Sequence, residues 1–390
     1  MAEKTPVTIP QTRSRRGLDR LMEDLLATAD IRINGDRPWD MQLCGPHVAE
    51  RIFAYGNLGL GEAYMDGEWE ADALDGFFER ILRARLQHQV QPLRLIFHSL
   101  RARLLNRQSL RRARQVGEAH YDLGNDFYAA MLDRRMTYTC GYWADAHDLD
   151  SAQEAKLDLI CRKLDLRPGM RVLDIGCGWG SFMAYAAEHY GVECTGLTIS
   201  EEQVRLGREH CRGLPVEFRL QDYREVDERF DRVVSVGMFE HVGQKNYRAF
   251  METVNRCLHD EGLALLHTIG KNRRANMPDP WIDRYIFPNG ELPSLGQIAD
   301  AAEDLAIIED VHNFGADYDP TLMAWYRNFE AAWPRFRDRY GERFYRMWRY
   351  YLLSCAGLFR ARGAQLWQLV LSPRGLRGGY RGVSYPRQSR

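Results

Sequence analysis

From about residue 118 the chain alternates short apolar runs with helix-length amphipathic segments, and few folds accept that rhythm. The runs fall at 171–175, 193–197, 215–219, 231–237 and 262–269. Strands spaced by helices predict an α/β domain with a doubly wound parallel sheet, whose ligands sit beyond the carboxyl ends of the strands. Two long helical patterns near 320–340 and 343–362 and a strand-like AQLWQLVLS complete the carboxyl-terminal part.

The first run leads into VLDIGCGWGS, with Gly176, Gly178 and Gly180 spaced G-x-G-x-G. A nicotinamide or flavin turn requires G-x-G-x-x-G, and no lysine follows to make a phosphate-cradling loop. Glycines at 176 and 178 let a backbone approach a ligand closely. The second run ends in Thr198, Ile199 and Ser200, with Gln203 one helical turn on, rather than in an acid. Hydroxyl and amide groups of this kind bond ribose or carboxylate. With Asp174 two residues before the glycines, the set suits S-adenosylmethionine, which carries no phosphate.

Charge is unevenly placed. Residues 81–117 hold nine arginines and Arg343 to Arg390 ten, neither stretch containing an acid, although the whole chain has a net charge of -1. In PLRLIFHSLRARLL, Leu93, Ile96, Phe97, Leu100 and Leu104 recur at helical spacing between Arg94, Arg101, Arg103 and Arg107. Such a basic amphipathic helix either lies on an anionic lipid surface or packs as a connector. The expected division is a small helix-rich lipid-binding domain over 1–92, a basic amphipathic linker over 93–117 and a catalytic domain over 118–390.

The eight cysteines form no C-x-x-C pair, and no Cys/His spacing resembles a metal site, so no metal is expected. The opening MAEKTPVTIP does not read as a signal peptide, and no apolar run approaches the ~18 residues of a membrane span. A cytoplasmic protein with reduced thiols that meets the membrane from its surface is expected. Nucleic acid is not an expected partner despite the arginines, because no N/D-P-P-Y base pocket follows the fourth run.

HYDLGNDFY, MTYTCGYW, VLDIGCGWGS, GLTISEEQ, VGMFEHVG, YIFPNGELPS and NFGADYDPTLMAW occur in that order over about 120–330. Together they resemble the bacterial cyclopropane fatty acid synthases, S-adenosylmethionine-dependent enzymes acting on phospholipid acyl chains. The resemblance implies a Rossmann-like class I methyltransferase fold and methylene transfer to a cis double bond. It further implies a carbocation whose added methyl loses a proton to a bound bicarbonate before the ring closes. Residues matching the bicarbonate site are Cys140 and Ile269 through their backbones, with Glu240, His267 and Tyr318. On the cofactor side it implies Tyr138, Thr139, Gly176, Gly178, Thr198, Ser200 and Gln203, with Asp222 and Tyr223 flanking the adenine. Thr139 stands where the family more often has serine, and the hydroxyl is kept.

The family also suggests homodimers, a phospholipid bilayer partner and peripheral attachment to the inner face of the cell membrane. Tyr138, Phe239, Trp281 and Tyr285 are aromatics available to a developing cation. Cys355, in the largely apolar helical stretch LLSCAGLF, matches a cysteine to which catalysis has been ascribed, and a structural role is favoured. A methyltransferase that stops before ring closure remains the competing reading.

Overall fold

The computed structural model describes residues 15–86, 123–274 and 278–383. The basic stretch 93–107, the rest of the linker to 117 and residues 120–122 of HYDLGNDFY lie outside them. The chain packs into two units, and packing does not follow the sequential division expected above. Residues 278–288 and 322–363 group with the amino-terminal segment rather than with the sheet.

The reason is an aromatic core shared by those segments. In the helix-rich unit, Tyr64 meets Trp69 edge-on at 5.2 Å and Tyr350 at 5.5 Å, while Trp281 lies 4.4 Å from Tyr350. Gly61 makes this possible, since a Cβ there would stand 2.4 Å from the Trp281 ring. Arg346 and Arg349 from the long helix Arg337–Arg360 reach Glu70 and the Tyr64 hydroxyl, balancing charge around that core.

The other unit holds a seven-stranded sheet. Its strands are β1 (Arg171–Ile175), β2 (Glu193–Thr198), β3 (Val216–Leu220), β4 (Phe230–Val236), β5 (Leu258–Lys271), β6 (Ile307–Asn313) and β7 (Ala364–Ser372). The spatial order is β3-β2-β1-β4-β5-β7-β6. The first five are parallel as expected, whereas β7 runs antiparallel to both β5 and β6. Alternate side chains serve opposite faces. Leu173, Ile175 and Val233 pack with Phe250, Met251 and Val254 on one face. Val172, Val234 and Val370 pack with Leu157, Ile160 and Met183 on the other. Helices on both faces leave the strand ends as the open side of the sheet.

β6 has no counterpart among the expected strands. IIEDVHN is an edge strand with Ile307 and Val311 exposed, and its acids break any apolar run. Helix boundaries, by contrast, follow their caps. Asp148 and Ser151 form a capping box for Leu149–Lys163, and Ser200 accepts the Gln203 N–H to open Glu201–His210.

Candidate active site

At the carboxyl end of β1 the backbone turns sharply, with φ of 84° at Gly176, 56° at Gly178 and 88° at Gly180. These left-handed values favour glycine. A Cβ at Gly176 would strike Met238, whereas one at Gly178 would face open space, so the backbone at Gly178 is uncovered. The N–H groups of Gly176 and Cys177 both donate to the Leu197 carbonyl, tying the turn to β2.

Beyond β2 the Thr198 hydroxyl donates to Gln203 Oε1 at 2.6 Å and accepts from the Ser200 N–H at 3.2 Å. Beyond β3, Asp222 caps the short turn Tyr223–Glu225, and its carboxylate takes the Arg224 guanidinium in two bonds of 2.7 Å. Two apolar residues that sequence reasoning did not assign stand here. Ile199 and Leu220, at the ends of adjacent strands, are 38% and 52% exposed. Exposed apolar side chains beside a glycine turn suit the faces of a flat ring, and their position just after apolar runs was the available signal.

The other side of the site lies across β4, β5 and β7. Glu240, in a short turn after β4, is buried, and its Oε1 accepts the Ile269 N–H at 2.6 Å. Burial raises this carboxyl to about 7, against the hydrogen bond from Ile269. His267 is also buried, and its Nδ1 stands 3.3 Å from the Gln368 side-chain nitrogen on the facing residue of β7. With the amide donating, Nδ1 accepts and the ring proton sits on Nε2. Burial first, then the charges of Lys156 and Lys163, push His267 well below its ordinary value, so the imidazole is neutral. Glu240 Oε2 and His267 Nε2 have no hydrogen-bond partner among the described residues.

Cys140 is completely buried, and burial followed by the Asp317 charge drives its thiol far above the usual range. It is therefore no thiolate nucleophile. The loop it sits on is fixed by a residue that sequence reading missed. The Thr321 oxygen accepts from Gly141 N–H at 3.1 Å and Trp143 Nε1 at 2.8 Å, and its hydroxyl donates to the Asp317 carbonyl at 2.7 Å. Thr321 lies one helical turn after Tyr318, which opens the helix Tyr318–Ala332 and is itself buried. The loop bearing Tyr138, Thr139 and Cys140 is thus stapled to the start of the helix bearing Tyr318.

Some expected residues lie elsewhere. Trp281 is fully buried in the helix-rich unit with its indole N–H on Met65, and Tyr285 donates to Glu62 there. Phe239 stacks on Tyr247 at 4.4 Å inside the sheet unit's core. Cys355 belongs to the helix Arg337–Arg360 of the helix-rich unit, with its thiol pushed up to about 12 by burial. Of the four aromatics considered for a cation, Tyr138 alone adjoins the site loop, packed edge-on against Tyr128 at 5.3 Å. Among the described residues no cluster of His, Cys, Asp and Glu is set to hold a metal ion.

This strand order, with a glycine turn after β1 and a hydroxyl–amide pair after β2, defines a class I S-adenosylmethionine-dependent methyltransferase. The sequence family described as mycolic acid cyclopropane synthetase matches residues 108–369. The cyclopropane-fatty-acyl-phospholipid synthase of Escherichia coli strain K12 is 54% identical over 363 residues, 93% of this chain and 95% of that one. A probable fatty acid methyltransferase of Pseudomonas putida is 38% identical over 264 residues, 64% of this chain and 67% of its own. The crystal structure of mycolic acid cyclopropane synthase CmaA1 complexed with SAH and CTAB superposes with a TM-score of 0.63 at 33% identity, covering 66% of this chain and 98% of that one. The chain belongs to the mycolic acid cyclopropane synthetase family of S-adenosylmethionine-dependent enzymes.

Proposed function

We propose that the protein transfers a methylene group from S-adenosylmethionine to the cis double bond of unsaturated phospholipid acyl chains and closes a cyclopropane ring. The observation that carries this reading is the pair of buried, unpartnered polar atoms, Glu240 Oε2 and His267 Nε2, at the ends of neighbouring strands. Methyl transfer to an alkene leaves a carbocation that must lose a proton, from the added methyl to close the ring or from a neighbouring carbon to restore an alkene. The unpartnered pair can hold the acceptor for that proton. The likeness to the E. coli synthase along 93% of the chain supports the lipid substrate.

When bound, S-adenosylmethionine supplies the one-carbon unit as an electrophilic sulfonium methyl, and bicarbonate would supply a proton acceptor of low nucleophilicity. Thr198, Ser200 and Gln203 hold the ribose end of the cofactor. Asp222 and Tyr223 flank the adenine, with Ile199 and Leu220 against its faces, while Gly176 and Gly178 admit the backbone. Tyr138 and Thr139 meet the amino-acid half. The His267 Nε2–H donates to a small anion, as does Glu240 in its protonated form, which its raised pKa makes accessible near neutrality. Ile269 fixes the Glu240 carboxyl, Cys140 contributes main chain, and Tyr318 orients the anion from the helix stapled to the Cys140 loop. Burial of these groups keeps out water that would trap a cation as an alcohol.

The same reading assigns a lipid-binding role to the helix-rich segment and the basic stretch 93–107, which together attach a homodimer peripherally to an anionic cytoplasmic membrane face. In support, no helix among the described residues is long and apolar enough to cross a membrane, while each arginine near an anionic surface contributes about 1 kcal/mol of attraction.

Incubation with labelled S-adenosylmethionine and cis-monounsaturated phospholipid vesicles tests the reaction. The acyl chain is expected to gain one CH2 and lose its alkene. A chain that gains carbon and keeps an alkene assigns the protein to fatty-acyl methylation without ring closure.

A further inference from the structure

Lys156 projects from the helix Leu149–Lys163 into the protein and is completely buried. Its ammonium donates to the Thr139 hydroxyl oxygen at 2.9 Å. The charged or titratable groups that act on it are Asp133, from the segment before the site loop, Asp174 on β1 and the Cys140 thiol. His267 on β5 feels its charge in turn. A lysine withdrawn from water at this depth is costly to keep, and no step described above uses it.

The direction of the Lys156–Thr139 bond has a consequence. An ammonium has three donors and no acceptor, so the threonine oxygen must accept and its own proton must point away from the lysine. The rest of Thr139 is equally constrained. Its carbonyl accepts from Gln153 Nε2 at 2.7 Å, and its methyl lies over Gly237 at the end of β4, where a Cβ would stand 2.6 Å away. Thr139 therefore offers one oriented O–H on the half-open side of the loop.

Thr198, Gln203, Ile199 and Leu220 place the adenosyl half of the cofactor over β2 and β3. The glycine turn after β1 lies between, so the amino-acid half extends toward β4, where Thr139 and Gly237 meet. The one anionic group of S-adenosylmethionine is the carboxylate of that half.

We propose that Lys156 is a positioning residue for the cofactor, turning the Thr139 hydroxyl outward as a donor backed by a buried positive charge, so that the pair selects the carboxylate of S-adenosylmethionine. The proposal rests on reading this turn as the cofactor site. The lysine stays out of contact with the ligand, and threonine makes the bond with a short side chain of fixed rotamer. Charge-assisted donors of this kind are about twice as strong as neutral ones.

The test is calorimetric binding of S-adenosylmethionine and of its decarboxylated analogue to the full-length protein. The wild type is expected to prefer the carboxylate-bearing ligand. Lys156→Met should raise the Kd for S-adenosylmethionine about tenfold, the loss of one charge-assisted hydrogen bond, and change that for the analogue less than about twofold. Lys156→Gln, which keeps a donor without charge, should fall between. Thr139→Val should match Lys156→Met, Thr139→Ser should stay within about threefold of wild type, and the double variant Lys156→Met/Thr139→Val should be no weaker than either single one. Equal losses for both ligands would make Lys156 a purely structural residue, and unchanged discrimination or multiplying effects would equally overturn the proposal. If neither lysine variant folds, Thr139→Val decides, because discrimination that survives it refutes the donor. A folded wild type that binds neither ligand refutes the cofactor reading itself.

Discussion

The two sides of the site treat their polar groups in opposite ways. Over β2 and β3 the groups partner one another: Thr198 with Gln203, Ser200 with a helix N-terminus, Asp222 with Arg224. Over β4 and β5, Glu240 and His267 are buried too, yet each keeps a polar atom unpartnered among the described residues. The first arrangement holds a shape that a ligand enters by exchanging one bond for another. The second stores electrostatic stress, visible in a carboxyl raised to about 7 and an imidazole held neutral. Buried titratable groups that give up their partners are poised for chemistry rather than for stability.

That contrast breaks first if the sides fail to separate kinetically. Glu240→Ala and His267→Ala should each lower kcat by about 10²–10⁴-fold, the range for a lost acid–base group, with cofactor Kd within about twofold. Loss of affinity in proportion to rate would merge the two sides. On the opposite side, Gln203→Leu should raise cofactor Kd about tenfold, because it strands the Thr198 hydroxyl, while kcat at saturation stays within a few-fold. Calorimetry beside single-turnover rates distinguishes these patterns.

Stability should show the stress directly. A glutamate whose folded value lies near 7 and whose unfolded value lies near 4.5 binds more protons when folded between those limits, so native stability falls as pH rises across that window. Glu240→Gln removes the titration. It should be more stable than wild type by about 2–3 kcal/mol above pH 7, with the gain fading to nothing near pH 4.5. Denaturant titrations at pH 4.5, 6 and 8 measure it, and a gain independent of pH would contradict the burial argument. The smallest effect belongs to the thiols. Cys140→Ser and Cys355→Ser should leave kcat within about twofold, since burial keeps both thiols protonated. A tenfold loss in either would call for a thiolate that the surroundings disfavour.

Much of the fold was legible because the five parallel strands carry short apolar or, in VEFRL, alternating runs at helix-length spacing, and the turn after β1 carries three glycines. β6 was not, since an edge strand needs no apolar period and IIEDVHN has none. The positions of Glu240 and Cys140 could be read from the ordered motifs that contain them, and that of His267 from the fifth apolar run, 262–269. Their supports could not. Gln368 is 101 residues from His267, Thr321 is 180 from Gly141, and Lys156 looks like any lysine on an amphipathic helix until the sheet closes over it. Trp281 misled for the same reason: an aromatic beside a motif carries no sign of whether it faces a ligand or, as here, the core around Gly61. Local pattern specifies elements, whereas the partner of a buried polar atom is settled by distant chain.

The insertion of β7 between β5 and β6 has a consequence for how the protein comes into being. A chain leaving the ribosome acquires β1 to β5 and the entire glycine turn well before residues 364–372 emerge. Until they do, His267 has no Gln368 beside it and no fixed tautomer. A nascent chain, or one truncated before residue 364, can therefore possess the glycine turn and the Thr198–Gln203 pair while its buried imidazole still lacks the Gln368 contact.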